Sequence, residues 1–464
     1  MVLKSRISPD IFLHIPPVQP HHLKESASRT TQGHEHGHSD SVNVHLIFLV
    51  TGNPGLIGYY HPFLSQIVDL LRDDADGDAV ATWTSSMTVV AGFSLGGFEV
   101  EDYKYNKNTS HGDGLRRPGI ANGNYDDGDN DDNMRRQLLF PDHGHYGEEP
   151  SSKKIYSLQE QIALCYARLQ SLVRRVTEHV EASTDMSGQH GSDINVNVKV
   201  KVTLMGHSVG AYIALELVRL CHEKMRRSSQ DGGYTTEPTE TTETTQPWSI
   251  ASCILLTPTI QDLHLSSSGR IATPLLTSIP IPLPTLLQSL VSHVLVATLP
   301  ASWLKWLVSR VTSMNAESHG METTLAFLTS ATGVRQALYM AKCELLEIRT
   351  EKWGEEVWGA SGGGGGGGGG EEDGEIGVGG QHSPNLFFWF AKQDHWVADA
   401  TRDELFNKRR GQHIDDDGSI SDGRARNAKT HFRIDEADGL VHAWCLGQSD
   451  LVAKRVSRWL KEVT

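Results

Sequence analysis

Two serines that follow apolar runs lie in the pattern G-x-S-x-G: Ser94 in Gly92-Phe93-Ser94-Leu95-Gly96 and Ser208 in Gly206-His207-Ser208-Val209-Gly210. The pattern suits a nucleophilic serine. A strand ending in a tight turn holds the hydroxyl clear, flanking glycines relieve crowding, and a helix starting next aims its dipole at the site. Both serines follow runs with strand character, "MTVVAGF" (87–93) and "VNVKVKVTLM" (196–205). What comes after them differs. Ser208 leads into "VGAYIALELVRLCHE" (209–223), apolar on nearly all sides as a helix buried under a sheet is, whereas Ser94 leads into "LGGFEVED" and then a polar stretch. The need for a helix selects Ser208.

A serine hydroxyl also needs a base to take its proton and an acid to orient that base. Asp394, in "FFWFAKQDHWVADATRDEL", stands just past a strand end, where a carboxylate reaches the top of a sheet. Asp399 and Asp403 fall in the helix that follows and read as a solvated face. Most of the 23 histidines lie in polar or charged stretches. His442, in "GLVHAWCLGQ", occupies the loop between the last strand and the last helix and is the candidate base; His431 at a strand start and His395 beside Asp394 are its rivals. The oxyanion of an acyl transfer needs two backbone N–H donors. Val209, next after the nucleophile, supplies one, and the loop "TGNPGLIGYY" (51–60) supplies the other from Asn53, because Pro54 has no N–H. This chemistry needs no metal or cofactor. The cluster "HEHGH" (34–38) carries ligating side chains but reads as part of a polar tail.

These residues require a scaffold of strands ending at one edge. "VHLIFLV" (44–50), "SCILLTP" (252–258) and "NLFFWF" (385–390) are continuous apolar runs, as strands buried on both faces should be, and "THFRID" (430–435) is a further strand. Between them, "YYHPFLSQIVDLLRD" (59–73) has helical spacing, "SLQEQIALCYARLQSLVRRVTEHV" (157–180) opens on a capping box of Ser157 and Glu160, and "QSDLVAKRVSRWLKEV" (448–463) closes the chain. The alternation predicts a mostly parallel α/β sheet with helices on both faces. Counting from strand 44–50, one helix, one strand and one helix precede strand 196–205, so Ser94 lies one strand too early.

The remaining composition limits the folded part. Residues 1–40 read as a polar N-terminal tail, and polar, Gly-rich or acidic stretches near 103–150, 228–246, 359–382 and 410–428 read as disordered insertions in a single domain spanning 41–464. Much of the formal charge of −15 sits in those stretches; with no basic, aromatic-studded face, nucleic acid is not an expected partner. Five cysteines without C-x-x-C spacing fit a reduced, intracellular chain. The N-terminus lacks the apolar core of a signal peptide, and no apolar stretch reaches the length of a membrane span. Within an apolar helical cap near 272–345, "PLPTLLQSLVSHVLVATLPASWLKWLVSRV" (282–311) breaks at Pro300 into two arms. Leu286, Leu287, Leu290, Val291, Val294 and Leu295 line the first, and Trp303, Leu304, Trp306, Leu307 and Val311 the second. Tryptophans beside Lys305 and Arg310 suit a lipid monolayer, so the segment reads as a cap over the site that also docks on lipid.

Together "LVTGNPGLIGYYHPFL", "LMGHSVGAYIALELV", "LLTPTIQDLHLSSSGRIATPLL", "FFWFAKQDHWV" and "GLVHAWCLGQSD" resemble the lipid droplet-associated hydrolase family, a branch of the α/β-hydrolases, and run in its order. The chain departs from it by its long insertions and by "SSSGR" (266–270) where a Ser-Pro-Asn-Gly turn is usual. The resemblance implies an α/β-hydrolase fold and a triad of Ser208, Asp394 and His442. It further implies ester hydrolysis of neutral lipid, sterol esters or acylglycerols, at the cytoplasmic face of lipid droplets and the endoplasmic reticulum. Two other readings compete: a droplet-organising protein that binds the monolayer through 282–311, and a soluble esterase or thioesterase with a plain cap.

Overall fold

The structure is a computed structural model that describes residues 3–17, 41–73, 86–100, 128–141, 154–185, 197–231, 248–280, 282–358, 383–410, 430–435 and 439–463. Its centre is an eight-stranded sheet of β1 (Arg6–Ser8), β2 (Ile11–His14), β3 (Ser41–Val50), β4 (Ser86–Phe93), β5 (Asn197–His207), β6 (Trp248–Leu256), β7 (Asn385–Phe390) and β8 (Thr430–Ile434). The spatial order is β1-β2-β4-β3-β5-β6-β7-β8. From β4 to β8 every pairing is parallel. The helices are α1 (His61–Asp73), α2 (Gly128–Leu139), α3 (Leu158–Asp185), α4 (Val209–Asp231), α5 (Ser267–Thr273), α6 (Leu283–Leu290), α7 (Ala301–Thr312), α8 (His319–Thr329), α9 (Gly333–Glu347), α10 (Glu355–Trp358), α11 (Asp399–Arg410) and α12 (Ser449–Val463). The strands read as buried on both faces are so: Leu46, Ile47, Ile254, Leu255, Phe388 and Trp389 are all inaccessible to solvent.

Two segments depart from the sequence-based expectation. Residues 3–17 are no tail: β1 and β2 form a hairpin whose second strand adds antiparallel to β4. Ile11, Phe12 and Leu13 are buried against the core, and the Asp10 carboxylate accepts the Val100 N–H at 3.0 Å, which fixes the chain beyond β4. The apolar run is only a few residues long and sits among prolines and histidines, so composition concealed it. Residues 18–40, including the histidine cluster, lie outside the described residues. The second departure is α2, which falls inside the stretch read as an insertion near 103–150. Leu138 and Leu139 at its end are buried, and the Leu139 carbonyl accepts from the buried Arg168 of α3. Its acidic first half masked a two-residue apolar anchor. Of the other predicted insertions, α4 continues to Asp231 and α11 to Arg410, while 359–382 and the rest of the two stretches lie outside the described residues.

Between β6 and β7, α5 to α9 form the helical cap, spanning Ser267–Glu347. The altered "SSSGR" turn opens it as a helix cap, with Ser266 Oγ accepting the Gly269 N–H at 2.9 Å. Pro300 separates the two arms as its missing N–H requires: α6 runs on through a wider turn at Val291–Val296, and α7 starts just after the proline. Leu304, Val308 and Met321 give the cap a small core of its own, while Met340, Leu345 and Ile348 join it to the main one. Among the described residues no single helix is long and apolar enough to cross a membrane. The pair Ser267–Ser278 and Leu283–Val296 reaches that length and composition together but is bent by 101°.

Candidate active site

β5 ends in a turn that places Ser208 in the left-handed region, φ 54°, directly before α4. A non-glycine residue held there stores about 1–3 kcal/mol of strain, which the surrounding packing must offset. The flanking glycines are needed for contact rather than for their own dihedrals. A Cβ on Gly206 would come within 2.5 Å of the Gly210 carbonyl, and one on Gly210 within 2.6 Å of the Thr51 carbonyl. The second contact also shows how close the start of α4 lies to the end of β3, and so to the 51–54 loop. Ser208 N–H donates to Leu256 O at 3.1 Å, and its own carbonyl accepts from Ala211 and Thr259. The backbone of the turn is thereby tied to β6 and the loop after it.

Three side chains meet here from three separate loops. Ser208 Oγ lies 2.9 Å from His442 Nε2, and His442 Nδ1 lies 2.8 Å from Asp394 Oδ2. An ionised carboxylate only accepts, so Nδ1 carries the imidazole proton and Nε2 is free to accept from the serine. The other Asp394 oxygen accepts the Trp396 N–H at 2.8 Å, which fixes the carboxylate plane. Val209 is the first residue of α4, so its N–H is among those with no intrahelical acceptor. Asn53 lines the same cavity as Ser208, with Nδ2 donating to Ala337 O at 3.0 Å and Glu344 Oε1 at 2.8 Å.

The rival residues are used elsewhere. Ser94 is fully buried, its Oγ accepting the Ile57 N–H at 3.2 Å and its carbonyl accepting from Arg168 at 2.6 Å. It closes the turn after β3 and does not line the cavity. His431 stacks on Phe387 at 4.7 Å, and His395 gives its carbonyl to Ser268 N–H. Asp399 and Asp403 pair with Arg402 on an exposed face of α11.

A layer beneath these residues escaped the sequence reading. His207 Nε2 lies 2.8 Å from the His442 carbonyl, and Nδ1 lies 2.6 Å from Tyr60 Oη. The carbonyl can only accept, so Nε2 bears the proton, Nδ1 accepts, and Tyr60 must donate to it. Tyr60 Oη in turn accepts the Gly52 N–H at 3.0 Å. One chain of bonds therefore joins the 51–54 loop, the serine turn and the His442 loop. Burial, with a smaller contribution from the neighbouring His442, pulls the His207 imidazole down to about 3, so the ring stays neutral. Thr257 Oγ also donates to the His442 carbonyl, at 3.3 Å. Trp444 packs edge-on against His207 at 5.2 Å, Tyr60 at 5.7 Å and Phe63 at 5.0 Å. The signals were present as the first variable position of G-x-S-x-G and the aromatics of "GYY", but their partners are more than 140 residues apart in the chain.

Above the serine opens a cavity of about 500 Å³. Ser208, His442 and Asn53 are in its lining; Leu304, Leu307 and Val308 of α7 and Phe327 and Leu328 of α8 wall it from the cap side. The cap's other face points outward with Leu286, Leu290, Val294, Trp303 and Trp306 all exposed, Trp303 by 63 %. Each arm is thus apolar on two sides, one toward the cavity and one toward solvent.

The chain is similar over most of its length, though at low identity, to solved hydrolases. The peroxisomal alpha-beta-hydrolase of Saccharomyces cerevisiae is 11% identical with a TM-score of 0.39, covering 92% of this chain and 77% of its own. The 2-hydroxy-6-oxo-6-phenylhexa-2,4-dienoate hydrolase of Rhodococcus sp. strain RHA1 is 10% identical with a TM-score of 0.38, covering 90% of each chain. Juvenile hormone epoxide hydrolase from the silkworm Bombyx mori is 11% identical with a TM-score of 0.38, covering 98% of this chain and 73% of its own. The family model described as lipid-droplet associated hydrolase matches residues 43–116 and 138–445, a span that holds Asn53, Ser208, Asp394 and His442. With its α/β-hydrolase sheet and cap, the chain belongs to the lipid-droplet associated hydrolase family.

Proposed function

We propose that this hydrolase is a serine esterase of neutral lipids, working at the surface of lipid droplets. The observation that carries the reading is the hydrogen-bonded series Ser208, His442, Asp394 at the base of an apolar cavity. His442 Nε2 takes the Ser208 proton as Oγ attacks the ester carbonyl, and Asp394 holds the imidazole and balances the charge it gains. The Val209 and Asn53 N–H groups receive the oxyanion. Collapse breaks the C–O bond to the alcohol, which leaves with the proton from His442. Water then attacks the acyl-enzyme by the same route, releasing the fatty acid and restoring Ser208. No step calls on a metal or cofactor.

The exposed face of the cap supports the lipid surface as partner. Trp303 and Trp306 flank Lys305, an arrangement that seats rings at a headgroup boundary while the amine stays in water. The family match supports droplet association; endoplasmic reticulum residence on the cytoplasmic face rests on the resemblance. The same face favours a second reading, a droplet-organising protein whose cap binding is the function itself.

An active-site fluorophosphonate separates the two. Label should appear on wild type and Ser94→Ala and vanish from Ser208→Ala and His442→Ala; a label lost only in Ser94→Ala overturns the assignment, and none on wild type favours the second reading.

A further inference from the structure

Glu344 of α9 lines the cavity above Ser208, and its side chain is buried. The cavity lining includes Leu304, Leu307, Val308, Phe327 and Leu328, an unusual setting for a buried carboxyl group. One oxygen is accounted for: Oε1 accepts from Asn53 Nδ2 at 2.8 Å. The Asn53 amide orientation follows from its other bond, because the Ala337 carbonyl can only accept and so must face Nδ2. Both amide protons are then spent. Glu344 Oε2 has no protein partner among the described residues. Of the other hydroxyls in the lining, those of Thr312 and Thr324 are spent on Val308 O and Gly320 O, while Thr259 Oγ, beside the serine turn, has no partner among the described residues.

Burial pushes the Glu344 carboxyl up to about 8, against the pull of the Asn53 bond, so at neutral pH it carries a proton. Since Oε1 accepts, that proton sits on Oε2. The group is a neutral hydroxyl donor in an apolar cavity, without an acceptor among the described residues.

We propose that Glu344 is a specificity-determining residue that selects esters carrying a second oxygen acceptor near the scissile bond. Acylglycerols have such an oxygen on the neighbouring glycerol carbon, as a hydroxyl or a second ester. A sterol ester has hydrocarbon there and would cover the donor without satisfying it, a mismatch that costs affinity. Of the two lipid classes implied by the family, the cavity therefore favours acylglycerols. The inference rests on the esterase reading and deepens it.

The test uses two esters that differ by one atom, hexyloxyethyl octanoate and nonyl octanoate, in which an ether oxygen replaces a methylene. Wild type should hydrolyse the ether ester with a kcat/KM higher by about tenfold or more. Glu344→Met should bring the ratio close to one, and Glu344→Gln, which keeps a donor on the cavity side, should preserve it. The ratio cancels any general loss of activity in either variant. A wild-type ratio near one, or a ratio that survives in Glu344→Met, overturns the proposal. If wild type hydrolyses neither ester, the esterase reading fails on its own, and calorimetric binding of the two esters to Ser208→Ala reads the same preference. Equal affinities there overturn the Glu344 assignment.

Discussion

At the scale of single residues, the site depends on groups that never meet the substrate's reacting atoms. Ser208, His442 and Asp394 are held in line because His207 and Thr257 fix the carbonyl of His442, and Tyr60 fixes His207. Tyr60→Phe keeps the ring contact with Trp444 but removes one donor and one acceptor, leaving His207 Nδ1 and Gly52 N–H unpaired in a buried site. The expected result is a loss of about 1–3 kcal/mol in stability and a fall in kcat with little change in KM. Thermal unfolding and steady-state kinetics on a soluble ester check it; an unchanged kcat would show that the layer beneath the triad is packing alone. Ser208, Asp394 and His442 were legible in sequence as candidates because each stands at a loop that the strand order defines, and the structure brings them within hydrogen-bond distance. Glu344 was not, because an acid within "GVRQALYMAKCELLE" looks the same whether it faces water or a cavity.

At the scale of elements, the cap and the N-terminal hairpin behave differently. The cap arms bury Leu304 and Val308 while leaving Trp303 and Trp306 exposed, so their two functions can be separated by mutation. Replacing both tryptophans with serine should weaken binding to phospholipid-coated triolein droplets by about a hundredfold or more, with each lost ring removing roughly 1.5–3 kcal/mol of apolar transfer. Hydrolysis of a soluble ester should be unaffected. Flotation and turnover assays on the same preparation check both halves, and undiminished flotation would remove the cap from the docking surface. The hairpin is a matter of stability. Leu13 is inaccessible to solvent and lies in β2 against β4, so Leu13→Ala should cost about 2–5 kcal/mol in denaturant unfolding. A cost near zero would mean that the strand is dispensable.

Across the whole molecule, several titratable groups are buried where their charged forms are penalised, and their opposing signs set a pH optimum of stability. Burial pulls His45 and His61 down to about 4 and His207 to about 3 from an ordinary value of 6.5. As pH falls below about 6.5, the unfolded chain binds protons that the folded chain refuses, so this contribution to stability is lost. Burial raises Glu344 to about 8 and Glu99 to about 7 from 4.5, so the folded chain holds protons that the unfolded one releases, and stability is lost as pH rises toward 8. The melting temperature should peak at about pH 6, where the histidine and carboxyl slopes cancel, and fall on both sides. Glu344→Gln should flatten the alkaline limb; a limb unchanged in that variant would reject the assignment. The sequence alone determined the parallel sheet, the choice of Ser208 over Ser94, and the loops of Asp394 and His442, because periodicity and chain order are local or ordinal properties. Only the tertiary structure decided that residues 3–17 complete the sheet and that His207 and Tyr60 brace the His442 loop. The same holds for Glu344 facing the cavity and for cap arms apolar on both sides. Each of these depends on contacts between segments far apart in the chain, where neither partner's residue type names the other.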